Sequence, residues 1–229
     1  PRMIEKNLNI TVNHPVKNIS GLLQVPTNAK AIMVLAHGAG AGMQHSHMES
    51  LSTSLLEQAI ACFRFQFPFM EQSTRRPDSL AVAVDSSLAA IKTAAQHQPS
   101  LPLYIGGHSF GGRVATHAAV NLTNQVSGLI AYSFPLRPAK KPSVKRAEHL
   151  ASVPLPMLFI NGDRDRLAES DLLEATQKNL PNLNLHWLPG ADHGYKTTKR
   201  SGITQQQTYL AAGRLTSEFI DHHSARIKL

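Results

Sequence analysis

The stretch Leu101-Pro102-Leu103-Tyr104-Ile105-Gly106-Gly107-His108-Ser109-Phe110-Gly111-Gly112-Arg113 decides how this chain is read. A short apolar run ends in Gly107-His108-Ser109-Phe110-Gly111, and Val114, Ala115, Ala118 and Ala119 follow with helix-like spacing. The pattern predicts a strand, a tight corner and a helix, with a serine at the corner. Small residues on both sides leave room for neighbouring backbone, which a strained strand-to-helix corner requires. Such a corner lifts the hydroxyl out of the sheet, and the helix N-terminus behind it favours developing negative charge. Gly-x-Ser-x-Gly alone is a modest signal; correct flanks on both sides strengthen it.

Working outward from that corner, Ala31-Ile32-Met33-Val34-Leu35-Ala36 is an unbroken apolar run, as expected of a strand buried on both faces. It runs into His37-Gly38-Ala39-Gly40-Ala41-Gly42, whose glycines let main-chain N–H groups approach a ligand. The functional reading is an oxyanion hole. A phosphate loop fits less well, because the spacing departs from Gly-x-Gly-x-x-Gly and no Lys-Ser/Thr follows.

Residues 3–12 and 19–25 alternate enough to form an antiparallel pair across Asn13-His14-Pro15. Ser46-His47-Met48-Glu49 reads as a capping box opening a helix, and Pro77 as the start of a second one. Further strands are expected around residues 62–67, 128–134, 156–160 and 183–188, and a last helix carries Tyr209, Ala212, Thr216, Phe219 and Ile220 on one face. Strands alternating with helices after an antiparallel start predict an α/β architecture, a mostly parallel sheet covered on both sides. With 229 residues and no linker or repeat, one domain over residues 1–229 is expected.

Hydrophobic content of 42% and charged content of 17% suit a water-soluble globular chain, and no apolar run reaches the length of a membrane span. The lone Cys62 excludes an internal disulfide, so a cytoplasmic location is the default expectation. The formal charge of +8 is scattered, apart from Arg137, Lys140, Lys141, Lys145 and Arg146, and no nucleic-acid motif accompanies it. Nucleic acid and membrane are therefore not expected partners. His45 and His47 have no third ligand beside them to hold a metal.

Three loops carry the chemistry, each after an expected strand. Ser109 comes first, then Asp163 or Asp165 in Asn161-Gly162-Asp163-Arg164-Asp165, then His193 in Asp192-His193-Gly194. In a parallel sheet these loops open on one edge, so distant residues can meet there. A serine hydroxyl needs a base, and the base needs an acid to fix its tautomer.

These residues, with His37-Gly38-Ala39-Gly40-Ala41-Gly42-Met43 and Phe65-Gln66-Phe67-Pro68-Phe69-Met70-Glu71, make the chain resemble the α/β-hydrolase superfamily over nearly its whole length. Within it, the chain is similar to small bacterial dienelactone-hydrolase-related proteins, which also resemble the hydrolase-like domain of a chromatin-complex subunit. The resemblance implies an eight-stranded sheet without a large lid and an esterase-type serine site. Its Gly-x-x-Asp pattern, counted from Gly162, implies Asp165 as the acid, with Asp163 as the alternative. True dienelactone hydrolases carry cysteine where Ser109 stands, so their substrate is not carried over.

The expected activity is hydrolysis of a small ester or thioester by Ser109, Asp165 and His193, with the N–H groups of Ala39 and Phe110 as oxyanion hole and no cofactor or metal. An α/β-hydrolase-like binding or scaffolding protein without turnover is the competing reading. The Pro135–Pro154 connection is too short for a helical cap, so an open site is expected; cations of that connection, with Arg75 and Arg76 of another loop near that edge, could rim it and attract an anionic substrate.

Overall fold

In the computed structural model, residues 2–122, 124–141 and 143–227 are described. Eight strands form one sheet in the order β1-β2-β4-β3-β5-β6-β7-β8. These are β1 (Ile4–Thr11), β2 (Asn18–Val25), β3 (Ala31–Ala36), β4 (Ile60–Phe65), β5 (Leu103–His108), β6 (Gly128–Tyr132), β7 (Met157–Gly162) and β8 (Leu183–Leu188). β1 and β2 pair antiparallel, and β2 is antiparallel to β4; every other pairing is parallel. The expected α/β sheet is therefore the observed one.

The two-residue period of an extended chain explains why the central strands are apolar throughout. In β3, Ile32, Val34 and Ala36 enter one core, while Ala31, Met33 and Leu35 enter the other. β7 divides the same way, with Met157 and Phe159 on one side and Leu158 and Ile160 on the other. The first core is closed by α3 (Leu80–His97), α4 (Phe110–Ala119) and Leu173 of α5 (Ser170–Lys178). The second is closed by α1 (Ser46–Leu56) and α6 (Gln205–Ile227). On α6 the expected face, Tyr209, Ala212, Thr216, Phe219 and Ile220, is the buried one. Each large apolar side chain fully withdrawn from water contributes roughly 1.5–3 kcal/mol, so two filled cores, not helix propensity, hold these layers.

Two helix starts differ from expectation. The cap of α1 is His45, whose Nδ1 accepts from the His47 N–H at 3.2 Å, and Ser46 is already helical. The cap of α3 is Ser79, not Pro77, with Oγ accepting from the Val82 N–H. Pro68 does more than close β4: it opens a single helical turn, α2 (Pro68–Glu71). Among the described residues no helix is long and apolar enough to cross a membrane.

Candidate active site

Ser109 sits between β5 and α4 with φ 51° and ψ −117°. An L residue in such a sparsely populated region costs on the order of 1–3 kcal/mol. Backbone bonds over-determine it: the Ser109 N–H donates to the Tyr132 carbonyl and the Arg113 N–H donates to the Ser109 carbonyl, both at 2.9 Å. The corner also needs a close crossing. A Cβ on Gly111 would fall 2.4 Å from the His37 carbonyl oxygen, so only glycine lets α4 start against the end of β3.

The three loops converge at that corner. Ser109 Oγ and His193 Nε2 are 2.7 Å apart, and His193 Nδ1 and Asp165 Oδ2 are also 2.7 Å apart. Asp165 Oδ1 accepts the Leu167 N–H at 2.8 Å, and the carboxylate is fully buried while the imidazole keeps a quarter of its surface exposed. Asp163 turns elsewhere: its Oδ1 accepts the Gly190 N–H at 2.9 Å. Of the two aspartates, Asp165 is the one that meets the imidazole.

The His193 loop is held from below. Asp192 Oδ1 accepts from the N–H groups of Gly194 and Lys196, both at 2.9 Å. Tyr195 has a positive φ of 63° and is fully buried, its hydroxyl donating to the Ile160 carbonyl at 2.6 Å. Gly162 lets this loop lie against β7, since a Cβ there would stand 2.1 Å from the Ala191 carbonyl oxygen. His108 Nε2 donates to the His193 carbonyl at 3.0 Å.

His37 shapes the glycine loop. Its Nδ1 donates to the Gly38 carbonyl at 2.7 Å, and its Nε2 accepts the Phe67 N–H at 3.0 Å. That pairing needs the neutral ring, and burial lowers its pKa to about 4. Farther along, Gln66 Oε1 accepts the Met43 N–H and Arg64 donates to the Met43 carbonyl, both at 2.8 Å. Ala39 lines the cleft over Ser109, while the Phe110 ring turns away onto Phe67 and Phe69. Neither the Ala39 nor the Phe110 N–H donates to a protein acceptor among the described residues.

The cleft has a volume of about 680 Å³. Its far wall contains residues that the sequence did not single out for the site: His47, Tyr209, Gln205 and Lys196. Gln205 Nε2 donates to the Tyr209 oxygen at 3.3 Å, leaving the hydroxyl hydrogen for His47 Nδ1 at 2.6 Å. Burial, followed by repulsion from His108, His45 and His193, pushes His47 down to about 2; burial brings His108 to about 4. The wall is thus polar and uncharged apart from Lys196. Only the helical spacing that buries Tyr209 hinted at this wall.

No described residue of the Pro135–Pro154 connection lines this cleft, and neither do Arg75 and Arg76. Lys141, Lys145 and Arg146 instead surround a second cleft beyond α4, and Arg137 pairs with Glu169. The expected basic rim over the serine is therefore absent. The chain leaves β6 through Ser133 and Phe134, pinned by Asn161, and returns across the outer side of α4.

An alpha/beta hydrolase domain profile matches residues 29–221, and the chain belongs to that family. Among solved structures, a dienelactone hydrolase from Anabaena variabilis ATCC 29413 superposes with a TM-score of 0.78 at 20% identity, covering 97% of this chain and 99% of its own. An α/β serine hydrolase without lid from Xanthomonas campestris gives 0.70 at 20% identity, covering 92% and 94%. Est1E of Butyrivibrio proteoclasticus with ferulic acid bound gives 0.75 at 17% identity, covering 92% and 98%. These likenesses extend over nearly the whole fold.

Proposed function

We propose that the protein is a serine hydrolase that cleaves a small ester or thioester through an acyl-enzyme. The observation that carries this reading is the unbroken relay from Ser109 Oγ through His193 to Asp165, with both links at 2.7 Å. Asp165 holds the Nδ1–H tautomer, so Nε2 is free to accept the Ser109 proton as Oγ attacks the acyl carbon. The N–H groups of Ala39 and Phe110, the latter at the start of α4, receive the negative charge that develops on the carbonyl oxygen. His193 then returns the proton to the departing alcohol or thiol. Water attacks the acyl-enzyme, giving its proton to His193, and His193 passes that proton to the departing Ser109 Oγ as the acid is released.

The lidless serine hydrolase from Xanthomonas campestris and Est1E with ferulic acid bound support an acyl substrate approached from solvent. A cleft of about 680 Å³, lined by polar groups of which Lys196 is the charged one, fits a short acyl ester. The test is labelling with a fluorophosphonate followed by peptide mass spectrometry. The expected adduct is on Ser109, and Ser109→Ala lowers turnover of short p-nitrophenyl esters at least ~1000-fold. Folded protein with neither adduct nor turnover would favour a scaffold that has kept the fold without the reaction.

A further inference from the structure

The cations that do not rim the serine cleft are gathered elsewhere. A second cleft, about 720 Å³ in volume, lies between the outer side of α4 and the connection that returns from β6. Arg113 and His117, one helical turn apart, form its floor; Lys141, Lys145, Arg146 and His149 face them. Glu148 is the one acidic residue that lines it, and it forms no ion pair with these cations among the described residues. The neighbouring Arg137 shows the contrast, since its guanidinium is spent on Glu169 and on the carbonyls of Pro138 and Ala139.

The floor groups are also under-satisfied. Among the described residues, Arg113 Nε and His117 Nε2 are buried without a hydrogen-bond partner, and Arg146 reaches only the Pro135 carbonyl, at 3.5 Å. Buried polar groups in folded proteins are almost always paired. Burial lowers the pKa of Arg113, and burial together with the Arg113 charge lowers that of Arg146, so two like charges share a poorly solvated space. His117 and His149 stack at 3.5 Å with their planes 12° apart, and His149 Nε2 donates to Thr116 Oγ1 at 2.7 Å, which fixes the wall beside Arg113.

We propose that this cleft is a binding site for the phosphate group of a small molecule. Two guanidinium groups and two ammonium groups lining one cleft match a multiply charged oxyanion, whereas a single carboxylate would leave most of that charge unanswered. The recessed arginine floor favours a compact ligand over a polymer, whose backbone is tracked by cations spread along an exposed face. The two clefts share no lining residue, so the assignment stands apart from the serine chemistry.

The experiment is calorimetric titration of the full chain at fixed ionic strength with inorganic phosphate, pyrophosphate and phenyl phosphate, with acetate as the control anion. One saturable site is expected, with acetate bound at least ~10-fold more weakly. Phenyl phosphate binding more tightly than inorganic phosphate marks an organic phosphomonoester as the ligand; the reverse marks free phosphate. Arg113→Gln with Arg146→Gln is expected to weaken pyrophosphate at least ~10-fold, the loss of charged hydrogen bonds. The exposed pair Lys141→Gln with Lys145→Gln decides the matter should the arginine variant not fold, with at least ~3-fold weakening expected. Ser109→Ala is expected to bind unchanged. The proposal is overturned by no saturable binding of any phosphate at millimolar concentration, by affinity indifferent to both variant pairs, or by binding confined to nucleic-acid oligomers.

Discussion

At the scale of single residues, hydrogen bonding separates two aspartates that stand two positions apart. Asp165 is fully buried and gives one oxygen to His193 and the other to the Leu167 N–H. Asp163 spends its carboxylate on the turn at Gly190. Asp165→Asn is therefore expected to keep the fold and lower kcat by roughly 10⁴, because the amide no longer enforces the Nδ1–H tautomer. Asp163→Asn retains an acceptor for the Gly190 N–H and is expected to cost less than about tenfold. Steady-state kinetics on both variants checks this, and the opposite ranking would exchange the two roles. The sequence could name both aspartates but not choose by itself, since one step along the loop decides which carboxylate points upward. His47 was harder still. It reads as a helix-start residue, and its burial against Tyr209 depends on where α6 lies, 162 positions away.

At the scale of elements, the site is made by loops that lean on strand ends. The bounds of β3 follow directly from its apolar run, because a strand buried on both faces imposes that composition. Helix starts were less legible. His45 and Ser79 won the caps over Ser46 and Pro77 through local geometry that several neighbouring residues could have supplied. The destination of the basic connection was not legible at all, for nothing in its composition says over which side of α4 it returns. Gly162 tests how firmly β7 sets the His193 loop. In Gly162→Ala the new methyl would meet backbone of Ala191 and Asp192, so the loop must move. A loss of about 1–3 kcal/mol in stability and of at least ~100-fold in kcat/KM is expected. Unchanged melting temperature and rate together would show that the loop has slack.

At the scale of the whole molecule, three neutral histidines packed under one edge of the sheet tie stability to pH. The folded-state pKa values of His37 and His108 are lowered to about 4 and that of His47 to about 2, against 6.5 in the unfolded chain. Unfolding therefore takes up protons below pH 6.5. Their contribution to stability is complete above that value and is lost as pH falls, down to about 4 for His37 and His108 and further for His47, at about 1.4 kcal/mol per pH unit for each histidine titrating only in the unfolded chain. Urea midpoints measured from pH 7 to 4.5 should fall accordingly, and His37→Gln should remove about one proton from the slope. A midpoint that stays level across this range would contradict the packing of these rings. The opposite end of the sheet behaves differently. β1 is bonded along one side only, to β2; Ile10 is its one buried side chain, and Ile4 is more than half exposed. The family match itself begins later, at residue 29. Little apolar surface resists its opening, so β1 can detach while the rest stays closed. In native-state hydrogen–deuterium exchange, the amides of β1 should lose protection at the lowest free energy in the sheet and independently of urea, while β3, β5 and β7 exchange only through global unfolding, leaving an edge ribbon that breathes beside a rigid frame.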